Sequence, residues 1–224
     1  MKILLFGDDW GVEKAIEHLP KNLLCGVIAA ANRPQYHGAI RAISKEVGKV
    51  LIQPLYSHKK YKIFVDEVAK LKPDLIFINS YSMILREDIL AIPRLGAVNI
   101  HGALLPKNRG PHPEQWALIK NEVETGVTLH EVTSIVDQGK IIDQQVIPIC
   151  IEDTWVTLRK KFEFATDTII QRNFHDIING SWTSYIQDEK RATTNSRRYP
   201  ADGLFKLSDP TIDIYNKIRA LLPP

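Results

Sequence analysis

The sequence reads as an α/β fold: a Rossmann-like, mostly parallel sheet with helices on both faces, an antiparallel extension and a small C-terminal appendage. Three patterns carry this reading. Short apolar runs alternate with amphipathic segments through the first half, as repeated β-α-β units require. From Gly126 two strand-like runs follow each other with no helix-length segment between them, which calls for an antiparallel pair. A long helical pattern then begins after Asp153-Thr154, a natural N-cap.

In chain order, residues 3–6, 23–31, 50–52, 75–79 and 97–101 are the strand candidates, mostly apolar runs of the kind buried on both faces of a parallel sheet. Helix candidates at 12–19, 38–47, 61–71 and 87–90 separate them, and right-handed crossovers place helices on both sides. Residues 126–132 and 141–149 form the antiparallel extension. The long helix runs through Leu158, Phe162, Ala165, Ile169, Phe174 and Ile177 toward Gly180, a natural C-cap. Beyond it, turn formers and charges increase, and a final short helix is expected over 213–222, stopped by Pro223-Pro224. The organisation expected is a Rossmann-like unit over 1–180 and an appendage over 181–224. Leu204, Phe205, Ile212 and Ile214 in that appendage suit a homodimer contact as well as a core.

Composition narrows the function. With 29 Lys and Arg against 26 Asp and Glu, the net charge of +3 is too small to argue for a polyanion surface, so no nucleic-acid partner is expected. Cys25 and Cys150 share no metal-type or disulfide-type spacing, which suits a reduced, cytoplasmic setting. The apolar start breaks at Gly7, too soon for a signal-peptide core, and no later run approaches a membrane span. No His-x-x-x-His or Cys-x-x-Cys cluster appears, so no metal is expected.

The first β-to-α turn, Gly7-Asp8-Asp9-Trp10-Gly11, needs separate attention. A dinucleotide fingerprint requires glycine where Asp9 stands, and two carboxylates repel phosphates, so an ordinary turn is the better reading. Trp10, a large ring above the strand ends, is a candidate for stacking on a flat ligand group, with core packing as the plainer use.

Asn99-Ile100-His101 carries the clearest chemistry. A strand repeats every two residues, so the amide and the imidazole project from one face, at the carboxyl edge where open α/β sheets bind ligands. An amide N–H stabilises an oxygen that gains charge as a carbonyl becomes tetrahedral, and imidazole moves protons near neutral pH. Asp137, in a tight connection between two strands, is placed to orient that imidazole. Individually each residue has a structural explanation: a turn cap, a satisfied backbone group, a hairpin Asp-Gly. Together they suit acyl transfer to an amine. No Gly-x-Ser-x-Gly elbow or reactive-cysteine context appears, which favours direct transfer over a covalent acyl-enzyme.

Asn99-x-His101, Leu104-Leu105-Pro106-x-x-Arg109-Gly110, Pro113 and Trp116, Gly126-Val127-Thr128-Leu129-His130 and Asp137-x-Gly139-x-Ile141-Ile142 together resemble the formyltransferases that use 10-formyltetrahydrofolate. That family includes methionyl-tRNA, glycinamide ribonucleotide and sugar N-formyltransferases. The resemblance covers about the first 150 residues. It implies that Asn99, His101 and Asp137 are the catalytic groups. It also implies that the backbone around Met83, Ile84 and Leu85 and the loop Thr133, Ser134, Ile135 and Val136 contact the folate. Ala103, where relatives often carry Ser, and Pro111, where some carry Arg, depart from the pattern. The segment 80–85 and the ending 213–221 resemble the sugar N-formyltransferases most. Their acceptors are nucleotide-linked amino sugars such as a dTDP-4-amino-4,6-dideoxy hexose, and their products enter O-antigen or other surface polysaccharides. Such an acceptor needs a pyrophosphate partner. Lys107, Arg109 and the basic residues near Arg197 are the candidates, and Trp10 and Tyr81 are the candidates for base stacking. Other formyl acceptors, hydrolysis of 10-formyltetrahydrofolate, and a non-catalytic binding module remain the alternatives.

Overall fold

The computed structural model describes residues 1–221; Leu222, Pro223 and Pro224 of the expected final helix and its stop lie outside them. The strands are β1 (Ile3–Phe6), β2 (Leu24–Ala30), β3 (Lys49–Gln53), β4 (Leu75–Asn79), β5 (Ala97–His101), β6 (Glu124–Glu131) and β7 (Ile141–Pro148). The helices are α1 (Trp10–His18), α2 (His37–Ile43), α3 (Tyr61–Leu71), α4 (Glu87–Leu90), α5 (Pro113–Ile119), α6 (Trp155–Arg172), α7 (Phe174–Asn179) and α8 (Thr211–Leu221).

The strands form one sheet in the order β3-β2-β1-β4-β5-β6-β7. Pairing is parallel from β3 to β5 and antiparallel from β5 through β6 to β7. This is the expected Rossmann-like sheet with its antiparallel extension. β1 lies centrally, and Ile3, Leu4, Leu5 and Phe6 are wholly buried, each worth about 1.5–3 kcal/mol of transfer free energy. Two apolar layers flank the sheet. On one side Val12 and Ala15 of α1, Ile40 of α2, Leu118 of α5 and Leu158, Phe162 and Ile169 of α6 pack together. On the other, Tyr61, Phe64 and Val68 of α3 join Ile89 of α4.

The first β-to-α turn is the ordinary one expected. The Asp8 carboxylate accepts from Ala30 N at 2.9 Å and Ser82 N at 2.8 Å, tying together the loops after β1, β2 and β4. Asp9 caps α1 and accepts from the Ser80 hydroxyl. Both carboxylates are occupied in holding the turn.

Three expectations need correcting. The helix expected to run unbroken to Gly180 is divided at Asn173, whose side-chain amide donates to the Ile169 carbonyl at 2.8 Å and to Asp143 at 2.6 Å. Back-bonding of this kind bends a helix. α2 stops at Ile43 with Ser44 as its cap, so 44–47 are not helical. α5 was not expected, because seven residues starting with a proline show too few turns for a periodicity to register. The start and stop signals of the long helical region do hold. Thr154 and Thr157 form a reciprocal capping box, and Gly180 closes α7 in the left-handed conformation.

Residues 181–196 run back to the sheet, with Tyr185 bridging Ile141 of β7 and Thr194 bridging Arg109. α8 then packs against α5 and α6. The segment after 180 is therefore tied into the Rossmann-like unit on both sides of the 104–110 loop.

Candidate active site

β5 alternates as the sequence requires, placing Asn99 and His101 on one face, and β6 runs antiparallel beside it with Asn99 opposite His130 and His101 opposite Thr128. His130 is the neighbour of Asn99 that reading β5 alone misses. Its signal was present as the i+2 partner of Thr128 on an antiparallel strand; only the register placed it against Asn99. His130 Nδ1 lies 2.7 Å from the Glu131 carbonyl, so that nitrogen carries the proton. Its Nε2 lone pair therefore accepts from Asn99 Nδ2 at 3.0 Å. Burial lowers the His130 pKa from 6.5 to about 4, overriding the opposite pull of the Asp137 carboxylate, so the ring is neutral at neutral pH. A neutral His130 thus fixes which way the Asn99 amide faces and leaves its second N–H free.

The His101 ring is oriented by the other loop. Its Nε2 lies 2.9 Å from the Asn108 carbonyl and must donate to it, which leaves Nδ1 as the nitrogen that gains or releases a proton. That Nδ1 faces Asp137 Oδ2 at 3.5 Å, and Asp137 Oδ1 lies 3.7 Å from His130 Nε2. Gly110 N donates to Asp137 Oδ2 at 2.7 Å. The amide, the two imidazoles and the carboxylate share one cluster, with His101 and His130 buried and Asn99 and Asp137 half-buried.

The Asp137 turn is constrained. Asp137 itself has a φ of 54°, a left-handed conformation that costs an L residue roughly 1–2 kcal/mol. Two residues on, a Cβ at Gly139 would fall 1.7 Å from the Glu131 carbonyl oxygen, so only glycine fits there. The loop on the other side is equally held. Buried Asn108, with a φ of 56°, binds the Glu122 carboxylate through its amide N–H groups, while its carbonyl oxygen accepts from Lys120 and Asn195.

Several binding assignments change on this geometry. Arg109 is only 3% exposed and its guanidinium is taken up by Gln187 and Glu189, because the returning 185–195 segment closes over it; it is not free for a pyrophosphate. Trp10 has one face covered by the Arg159 guanidinium at 4.9 Å, so that face is not open for a base. Tyr81 packs edge-on against Phe6 at 5.3 Å and donates to Gln53 at 2.8 Å, and burial raises its pKa well above 10.0. Its ring belongs to the core. Lys107 is exposed and, among the described residues, makes no ion pair.

A cleft of about 380 Å³ is lined by Ile84, Leu85, Arg86, Glu87, Asp88 and Ser134. Residues from both segments expected to meet the folate, 83–85 and 133–136, contribute to it. Ile84, Leu85 and Ser134 line it, whereas Met83, Thr133, Ile135 and Val136 flank it in sequence. Away from the cluster, Glu17, His18 and Asp167 bring ligand-type atoms within 4.8 Å of one another, and Lys14 Nζ sits 3.1 Å from both carboxylates as their counter-charge.

Residues 1–173 match the Formyl transferase family. The chain belongs to that family. The bifunctional polymyxin resistance protein ArnA of Wigglesworthia glossinidia brevipalpis is 42% identical over 161 residues, 72% of this chain and 25% of that protein, so the chain spans about a quarter of that relative's length. The N-formyltransferase of Helicobacter canadensis, solved with folinic acid and dTDP-3-aminofucose, shares the fold with a TM-score of 0.76 and 23% identity, covering 98% of this chain and 80% of that one. A 4-N formyltransferase from Francisella tularensis gives a TM-score of 0.79 at 18% identity, covering 100% of this chain and 88% of that one. No helix among the described residues is long and apolar enough to cross a membrane.

Proposed function

We propose that this formyltransferase-family chain moves the formyl group of 10-formyltetrahydrofolate onto the amine of a nucleotide-linked amino sugar. The observation that carries the reading is the convergence of Asn99, His101 and Asp137, with His130 behind them, in one cluster. The solved structures of a Helicobacter canadensis N-formyltransferase and of WlaRD, which hold folate derivatives together with dTDP-3-aminofucose or dTDP, support the substrate class.

The residues divide the work as follows. The free N–H of Asn99 donates to the formyl oxygen as the acceptor nitrogen forms its bond to the formyl carbon; a single donor of this kind is worth roughly 2.7–4 kcal/mol in the transition state. His101, held by Asn108 through Nε2, presents Nδ1 for the proton that leaves the amine, and Asp137 sets that ring and balances its charge. As the bond from the formyl carbon to N10 breaks, N10 takes the electron pair and a proton. The products are the formamide and tetrahydrofolate. The cleft between 84–88 and Ser134 is assigned to the folate, whose ring edges suit recognition by backbone groups on two loops.

The acceptor's diphosphate is assigned to Lys107 and to the arginines around His112. Burial, and then the charges of Arg198, Arg33 and Arg197, lower the His112 pKa, so all three cations act on that one ring. Arg198 Nε is buried and, among the described residues, has no hydrogen-bond partner. A cytoplasmic enzyme supplying O-antigen or another surface polysaccharide, dimerising through exposed Leu204, Phe205 and Ile212, completes the proposal.

The test is to incubate the purified protein with 10-formyltetrahydrofolate and dTDP-linked 3-amino and 4-amino sugars, reading N-formylated product by mass spectrometry. Product with one of these acceptors is expected. Formate release that is indifferent to acceptor, or turnover with a tRNA or ribonucleotide amine only, would overturn the sugar assignment.

A further inference from the structure

The segment that follows the family match reaches into the active-site cluster at one side chain. Gln187 is 4% exposed, and all of its amide valences are used. Its Oε1 accepts from Arg109 Nε at 3.1 Å and Arg109 Nη2 at 2.7 Å. Its Nε2 donates to the Asp137 carbonyl at 2.8 Å and to the Gly139 carbonyl at 2.7 Å. The orientation of the amide is unambiguous, because a guanidinium only donates and a carbonyl only accepts.

These four contacts join the two loops that hold the catalytic groups. Arg109 lies between Asn108, whose carbonyl orients His101, and Gly110, whose N–H holds the Asp137 carboxylate. Asp137 and Gly139 are the turn that delivers that carboxylate, with Asp137 in its costly left-handed conformation. Glu189 adds two bonds to the same guanidinium, at 2.9 Å and 2.6 Å, and Asn195 N donates to the Arg109 carbonyl at 2.8 Å. Resting on the function proposed above, we infer that Gln187 is a positioning residue for formyl transfer: it clasps the 106–110 loop to the 137–139 turn and so sets the Asp137 carboxylate against His101. Only a side chain that accepts on one side and donates on the other can do this. Glutamate at the position would keep Arg109 and turn an acceptor toward both carbonyls.

Q187E and Q187M are the informative variants. In Q187E the pair with Arg109 survives, so the full-length protein still folds, yet kcat falls about 100-fold, as for a catalytic group displaced by about an ångström, while KM for each substrate stays within about twofold. Q187M loses both sides and shows the same kcat loss with a lower melting temperature. A Q187E variant with wild-type kcat, or one whose KM values rise while kcat holds, would overturn the inference. A second readout stands apart from the substrate question. In ¹⁵N-histidine spectra of the substrate-free protein, the His101 and His130 ring resonances should shift in Q187E; unchanged resonances would also overturn it. A wild-type protein that transfers no formyl group would count against the proposed function alone, and the spectra would still decide the role of Gln187.

Discussion

The burial of His130 makes the fold acid-sensitive in a way that can be calculated. The ring's pKa falls from 6.5 to about 4 on folding, chiefly because its buried site disfavours the imidazolium. A base whose pKa is depressed in the native state binds its proton preferentially when unfolded, so its penalty is absent above the unfolded value and grows as pH falls toward the folded one. The distance from 6.5 to about 4 amounts to about 3 kcal/mol at full effect, of which about 2 kcal/mol develops between about pH 7 and about pH 5. His130→Gln removes the titration while keeping an oxygen that can accept from Asn99. Urea denaturation of both proteins at the two pH values reads the contribution of His130 together with its coupling to Asp137 and His101, since titrating groups remote from the ring cancel in the double difference. The expected result is a wild-type loss larger than that of His130→Gln by about 2 kcal/mol. Equal losses in the two proteins would refute the claim that a buried neutral imidazole stands behind Asn99. Protonation would also convert Nε2 from acceptor to donor 3.0 Å from an amide that already donates to it, so the Asn99 orientation should fail in the same acid range.

Other consequences follow from the same cluster. Asn99→Ala should lower kcat by roughly 100- to 1000-fold, the cost of one oxyanion donor, and His101→Ala by a comparable factor, with circular dichroism unchanged; near-normal turnover in either would remove its role. Gly139→Ala places a methyl group 1.7 Å from the Glu131 carbonyl oxygen, so the turn must open, and a marked fall in melting temperature should accompany loss of activity.

The parts of the molecule that were legible in advance are those where a local pattern has one physical solution. The mostly apolar runs at β1, β4 and β5 could be satisfied only inside a parallel sheet, and the two strand patterns after Gly126 had no room for a crossover helix. Thr154 and Gly180 announced the ends of the long helical region by their capping chemistry. Its interruption was not announced, because Asn173 bends the helix by reaching Asp143 on β7, a partner 30 residues away.

Asn99 and His101 were paired by strand periodicity alone, and the motif containing Asp137 was recognisable by resemblance; together these sufficed to name three residues that the fold brings together. What only the tertiary structure decided is how each side chain is spent. Arg109 looked available for a phosphate until residues 185–195 returned to fill its fork, and Trp10 has one of its two faces taken by Arg159. His130 became part of the site through the β5–β6 register, and Gln187 through a chain reversal after Gly180. The reason is physical: periodicity fixes which face a side chain occupies, whereas its hydrogen-bonding partners are chosen by segments that meet only when the chain has folded.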